Sequence, residues 1–173
     1  MKKTPAFRVA LCGLLGALAV VLLTLGGIIP VAVYCCPMLA ALLLVPLLEL
    51  CSKKICFGWY AVVAILSLLL CPDKETALVF TFLGWYPVVR EQLNKLPKVL
   101  RIIVKLLIFN AAVIAMYALM IFVFRLETAM AEFQSMGVWL LVGLLALGNV
   151  VFIIFDLLLG RMTIYFHNKK DRM

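Results

Sequence analysis

From Val9 to Ile29 the chain carries no charged side chain. A run of that length matches the ~20 residues an α-helix needs to cross the hydrocarbon core of a bilayer. The pattern then recurs. Val31 to Leu50, Ile55 to Cys71, Thr76 to Val89, Ile102 to Phe124 and Val138 to Leu159 are further apolar stretches, separated by short charged pieces. Backbone polar groups in lipid must find internal partners, and the period-2 alternation of a membrane barrel is absent, so the stretches read as helices. Pro37 and Pro46 interrupt the second, while Gly84 and Pro87 disturb the fourth, which is also the shortest.

Composition closes the soluble alternative. Hydrophobic residues make up 67% of the 173 and charged residues 14%, where a soluble chain runs about 45–50% and ~25%. At 19.3 kDa and a mean hydropathy of +1.21, the molecule has too little interior to hide that surface from water. Lys2, Lys3 and Arg8 precede the first run as they would in a secretory signal. The run exceeds the about 7–15 residues of a signal core and lacks an A-x-A exit, so an uncleaved first helix is expected. Ala32-Val33-Tyr34-Cys35 sets a bulky Tyr where a lipoprotein cleavage site needs a small residue.

Charge sets the orientation. With the N-terminus inside, the outer loops hold only Lys74 and Arg125, each beside acids, and the other fourteen of the sixteen basic residues lie inside. Such a bias over short loops is the positive-inside signature, and it opposes the balanced loops of a dual-topology exporter. Omitting the fourth helix would put the basic 90–105 segment on the wrong side. The sequence thus predicts an all-α integral membrane protein, one membrane domain over 1–173. It is a six-transmembrane-helix bundle, N-in and C-in, in the cell membrane with both termini cytoplasmic. The helices are expected at about 7–29, 31–50, 55–71, 74–90, 101–124 and 137–160.

Several functions are excluded by what the chain lacks. Its one histidine, His167, sits in a basic tail, which removes bis-histidine haem ligation and His-rich metal sites. There is no G-x-x-x-x-G-K-[ST] loop to cradle ATP, so active work would draw on an ion gradient or on a partner. Basic residues fall in short pieces between apolar runs, which speaks against a nucleic-acid surface. No His, Ser or paired-carboxylate constellation shares one membrane depth, so no enzyme, metal or cofactor is expected.

Polar groups at depth in a membrane are costly and are the first candidates for function. Asn110 and Asn149 both fall near the midplane by the 1.5 Å rise of a helix. Facing each other, they would present amides to a ligand or join two helices through a hydrogen bond. Asp73, Lys74 and Glu75 follow Pro72 at the outer mouth. They would either cap a helix or form a charged rim that selects a polar substrate. Tyr34, Tyr117, Trp139 and Glu127 are placed at similar depth, where aromatics also belong to a headgroup belt. Asp156 and Glu49, near inner helix ends, are expected to pair with Arg161 and Lys53. Carboxylates spaced through the bilayer, as a proton relay needs, are missing.

None of the six cysteines, Cys12, Cys35, Cys36, Cys51, Cys56 and Cys71, forms a C-x-x-C pair, and packed free thiols are expected. Ala6, Ala10, Gly13 and Ala17 recur at spacings of 4, 3 and 4, a small-residue face on helix one that admits another helix closely, from its own bundle or from a partner. Between helices four and five, Leu93, Leu96, Leu100 and Ile103 share a face, and Arg90, Lys95, Lys98 and Arg101 cover the rest. That segment reads as interfacial, broken or bent at Pro97, and suited either to anionic lipid or to docking a cytoplasmic-side partner.

A basic stub, the first helix RVALCGLLGALAVVL, a tight Ile-Ile-Pro turn and six helices with both ends inside resemble the membrane-embedded S components of energy-coupling factor transporters. The resemblance implies a bacterial membrane subunit that binds a vitamin or related micronutrient at an outward-facing site. A separate transmembrane coupling protein and ATPase subunits would supply the energy. It also implies that the family's Ala-x-x-x-Ala pattern, which meets the coupling protein, lies at Ala6 and Ala10, with Gly13-x-x-x-Ala17 as a small-residue variant. PDKE (72–75), GWYP (84–87) and KLLIFN (105–110) match no ligand signature, and the substrate stays open. Asn110, Asn149, Asp73, Lys74, Glu75, Tyr117 and Trp139 are the residues to which substrate binding is ascribed. The competing expectations are a non-transport membrane scaffold or assembly protein and a small gradient-driven transporter.

Overall fold

Helices are the only regular elements among the described residues of the computed structural model, which are 5–28, 32–122 and 138–171. In chain order they are α1 Pro5–Gly26, α2 Ala32–Leu42, α3 Leu44–Leu50, α4 Lys53–Leu70, α5 Lys74–Leu83, α6 Tyr86–Leu93, α7 Lys98–Phe122 and α8 Val138–Asp171. Among the described residues five segments are long and apolar enough to cross a membrane: Ala6–Gly26, Ala32–Leu50, Lys53–Leu70, Lys98–Met120 and Leu145–Phe166. Several helices of this length and composition are compatible with a multi-pass protein of the membrane. The Ile29–Pro30 turn, Arg125, Glu127 and Glu132 lie outside the described residues.

Prolines set the breaks. Pro46 has no N–H for the carbonyl of Leu42, and the second span divides there into α2 and α3, with the Leu43 N–H turning back to Ala40 instead. Pro37 is tolerated inside α2, where it is buried. At the expected fourth span the break is wider: α5 and α6 have 10 and 8 residues and meet at Gly84 and Trp85. Pro87 cannot donate to the carbonyl of Leu83, so α5 ends with orphan carbonyls that no water in a bilayer would satisfy. Side chains supply the donors. The Tyr60 hydroxyl donates to the carbonyl of Thr81, and Trp85 Nε1 donates to that of Phe82 at 2.6 Å. The GWYP sequence is a helix break with its own cap.

Cα packing resolves two compact units, one of residues 1–92 with 158–173 and one of residues 93–157, where the sequence predicts a single membrane domain. In the first unit α5 is packed by α1, α2 and α4. No residue from Asp73 to Arg90 is exposed, and Ala77, Leu78, Val79, Phe80 and Tyr86 are buried. This explains the weak hydropathy of the stretch: its surroundings are protein, and its polar side chains bond internally. Thr76 Oγ1 donates to Asp73, Thr81 Oγ1 to Ala77 O at 2.8 Å, and on neighbouring α4 the buried Ser67 Oγ to Ala64 O at 2.8 Å.

The end of α1 is held by close approach. A Cβ on Gly26 would lie 2.9 Å from both Cys36 Cβ and Thr76 Cγ2, and one on Gly27 would lie 2.9 Å from Asp73 Cβ. Lower on the same helix, Trp59 Nε1 of α4 donates to the Cys12 carbonyl at 2.9 Å and would sit 3.3 Å from a Cβ on Gly16. Glycines at these places let α1 lie against α2, α4 and the start of α5.

The second unit is built on an antiparallel hairpin of α7 and the first part of α8. Lys105, Phe109, Ala112, Met116 and Met120 recur at steps of four, three, four and four along α7 and are buried, which is one face of a 3.6-residue helix. Phe152 and Phe155 are buried on α8. The latter helix runs 34 residues and continues eleven beyond the expected end at residue 160, since Gly160 through Asp171 include no proline.

Candidate functional site

Within the 93–157 unit, Asn110 and Asn149 do face each other. Asn110 Nδ2 donates to Asn149 Oδ1 at 3.0 Å, and Asn149 Nδ2 donates to Asn110 Oδ1 at 3.1 Å. Each Nδ2 also donates to the carbonyl four residues back in its own helix, Leu106 and Leu145, both at 2.8 Å. An amide nitrogen carries two hydrogens, so both donors are saturated within the protein. The pair can still accept a hydrogen bond at each oxygen, and it can donate only by opening. Between the two outcomes the sequence leaves open, the geometry is that of the interhelical hydrogen bond.

About one and a half turns toward the start of α7, a charged cluster closes the same hairpin. Lys105 Nζ donates to Asp156 Oδ1 and Oδ2 at 2.9 and 2.8 Å and to Asn94 Oδ1 at 2.9 Å. Side-chain exposure is 8% for Lys105 and 20% for Asp156. Three ammonium hydrogens thus meet three acceptors in a dry place, which is the condition for a charge to survive burial. The expected pairing of Asp156 with Arg161 is replaced by this one. Likewise Lys53 pairs with Glu91 at 2.8 Å, not with Glu49, and that pair is solvent-facing at 46% and 69% exposure. Between the amides and the ions, Phe109 stacks on Phe152 with centroids 4.7 Å apart.

Asp73, Lys74 and Glu75 belong to the other unit and are occupied by the local backbone. Asp73 is the N-cap of α5, accepting from the Glu75 N–H at 3.2 Å, the Thr76 N–H at 2.9 Å and the Thr76 hydroxyl at 2.7 Å. Lys74 Nζ reaches back to the end of α4, donating to the carbonyls of Leu68 and Cys71 at 2.9 and 3.2 Å. Glu75 accepts from the Tyr34 hydroxyl at 2.6 Å. One tetrapeptide therefore ends one helix, starts the next and ties both to α2. Tyr117 lies two turns beyond Asn110 on the same helix face and is half-buried with partners of its own. Trp139 is in α8, but its side chain lies outside the described residues.

Among the described residues the small-residue face of α1 is open: Ala6, Ala10, Gly13 and Ala17 are all exposed, and no described neighbour lies within 4 Å of a Cβ placed on Gly13. The glycines that α1 uses internally are Gly16, against Trp59, and Gly26, against Cys36 and Thr76. All six cysteines are free thiols, Cys56 and Cys71 buried among them. Among the described residues no buried side-chain nitrogen or oxygen lacks a hydrogen-bond partner.

Lys105 and Asn94 are the site residues that the sequence does not single out. The signal is present all the same, because Lys105 is a lone cation inside an apolar run and Asp156 a lone acid inside another, and intramembrane charges seek each other. No family model matches the chain, and no curated protein or solved structure matches it significantly.

Proposed function

We propose that this chain is a membrane-embedded substrate-binding subunit of a micronutrient uptake system, energised by separate coupling and ATPase subunits. In this reading six helices cross the cell membrane, with α5 and α6 together forming the fourth span and both termini cytoplasmic. The observation that carries it is the open face of α1. A stripe of small side chains on an otherwise bulky apolar helix permits a second helix to approach to backbone contact, and the described residues leave that stripe uncovered. A subunit that cannot hydrolyse ATP needs such a docking face. Substrate would be met by Asn110, Asn149, Tyr117 and Trp139, with Asp73, Lys74 and Glu75 at the outer rim.

A membrane scaffold or assembly protein is the second reading. The self-satisfied amide pair favours it, because ligand-binding amides ordinarily keep a donor free. Both readings use the α1 face, and they divide on the small molecule. Affinity purification from native membranes, followed by mass spectrometry of proteins and metabolites, tests the proposal. A coupling protein with ATPases and a stoichiometric small molecule supports uptake. Membrane or envelope assembly proteins without a small molecule support the scaffold. Loss of all partners from wild type would remove both.

A further inference from the structure

The corner entering α7 has an excess of positive charge that no other described residue answers. No acid occurs in the sequence between Glu91 and Glu127, while Lys95, Lys98, Arg101 and Lys105 all fall there. The described acid of the 93–157 unit is Asp156, and Lys105 takes both of its oxygens. Lys95, Lys98 and Arg101 make no ion pair or side-chain hydrogen bond among the described residues. Lys95 and Lys98 are exposed and Arg101 is half-exposed.

The surroundings indicate what kind of anion belongs there. Lys98 is also the first residue of an apolar span, Lys98–Met120. Directly after it stand exposed Val99, Ile103 and Leu107, at 73%, 49% and 63% exposure, recurring every four residues. Cations at the edge of a span and a bare apolar ridge running away from them match a molecule with an anionic head and a hydrocarbon tail. A soluble acidic protein would gain nothing from the ridge. A free phosphate would gain nothing from it either.

We propose that Lys95, Lys98 and Arg101 form a binding site for the headgroup of an anionic phospholipid whose acyl chains lie along the Val99–Ile103–Leu107 ridge. Juxtamembrane cations contribute about fivefold each to binding of an acidic lipid surface. Site occupancy would then be a lipid-dependent property of the α7 entrance, separate from whatever binds at the amide pair or on α1.

Native mass spectrometry of the full chain in uncharged detergent measures this with added phosphatidylglycerol or phosphatidylcholine. The expected result is preferential retention of phosphatidylglycerol, weakened about fivefold by Lys95→Gln or Lys98→Gln and about a hundredfold when Arg101→Gln is added to both. Lys95→Arg with Lys98→Arg should retain it. The two lysines are exposed, so the single variants carry the test even if the triple variant unfolds. Equal retention of the two lipids overturns the proposal, as does undiminished phosphatidylglycerol binding by the single variants. Displacement of the lipid by millimolar inorganic phosphate would assign the site to a free anion instead, and would overturn it too.

Discussion

Lys105 and Asp156 meet with nitrogen and oxygen 2.8 Å apart, and four residues along each helix Phe109 lies flat on Phe152. The two contacts share one antiparallel register, so a charge pair and a ring stack both pin α7 to α8. Neither helix can slide without separating an ion pair that has little water to fall back on. Polar residues inside an apolar hairpin thereby specify which rungs face each other, something that interchangeable Leu, Ile and Val contacts do poorly.

Breaking that pair should be costly. Lys105→Met or Asp156→Leu alone leaves one buried charge without its partner, and a loss of about 3–5 kcal/mol is expected. The double variant should recover most of it, because two apolar groups need no partner. Thermal or denaturant unfolding in a fixed detergent, run as a double-mutant cycle, reads the coupling directly. A cycle that closes at zero would show that the pair carries no stability.

The amide pair should behave more mildly. Asn110→Ala and Asn149→Ala should couple by about 0.6 kcal/mol, and by no more than about 1.7 kcal/mol, as for other hydrogen bonds between membrane helices. If a small molecule co-purifies, the same variants report on its site. Loss of a bonded partner would weaken binding by roughly 5- to 150-fold, whereas full occupancy in both would make the amides structural.

At the outer turn, Asp73→Ala removes the cap of α5 and should destabilise by about 1 kcal/mol. Gly27→Ala should cost ~1–3 kcal/mol, because the new methyl would lie 2.9 Å from Asp73 Cβ. An Asp73→Asn chain, which keeps a capping oxygen, should stay near wild type. Equal losses for Asn and Ala would point to the charge and away from the cap.

Docking through α1 predicts a separation of effects. Gly13→Leu or Ala17→Leu should abolish co-purification of the partner and leave the melting temperature unchanged, because both positions are exposed. A fall in melting temperature with partner retained would reverse the assignment.

Orientation is tested by single cysteines on a background without the native ones. Lys74→Cys and Lys95→Cys should react with an impermeant maleimide from opposite sides of the membrane. Labelling from one side would eliminate the crossing of α5 and α6.

The helical class and five of the apolar spans were legible because apolar length is a strong signal, and the breaks at Pro46 and at Gly84–Pro87 could be read from the same sequence. Partners at depth were less so. The Asn110–Asn149 contact follows from matching depth on two helices, yet nothing in composition tells that each amide spends its second hydrogen on its own helix. Asp156 has Arg161 close in sequence, and proximity along the chain outweighs a lysine fifty-one positions away until the hairpin register is known. The PDKE charges could equally have been a rim or a cap, since only the fold decides whether a backbone end lies within reach.

The enclosure of α5 bears on biogenesis. A nascent segment enters the bilayer on its own when its transfer from the insertion channel into lipid is favourable, and Lys74–Leu83, with its threonines and its early stop at Gly84, is a poor candidate for that. Its favourable environment exists only once α1, α2 and α4 have assembled around it. Insertion of this piece should therefore lag behind its synthesis and depend on sequence that precedes it by some forty residues or more. A chain carrying 1–93 followed by a polar spacer long enough to clear the ribosome should integrate α5, while α5 with the same spacer behind a foreign leader should be released to the aqueous side.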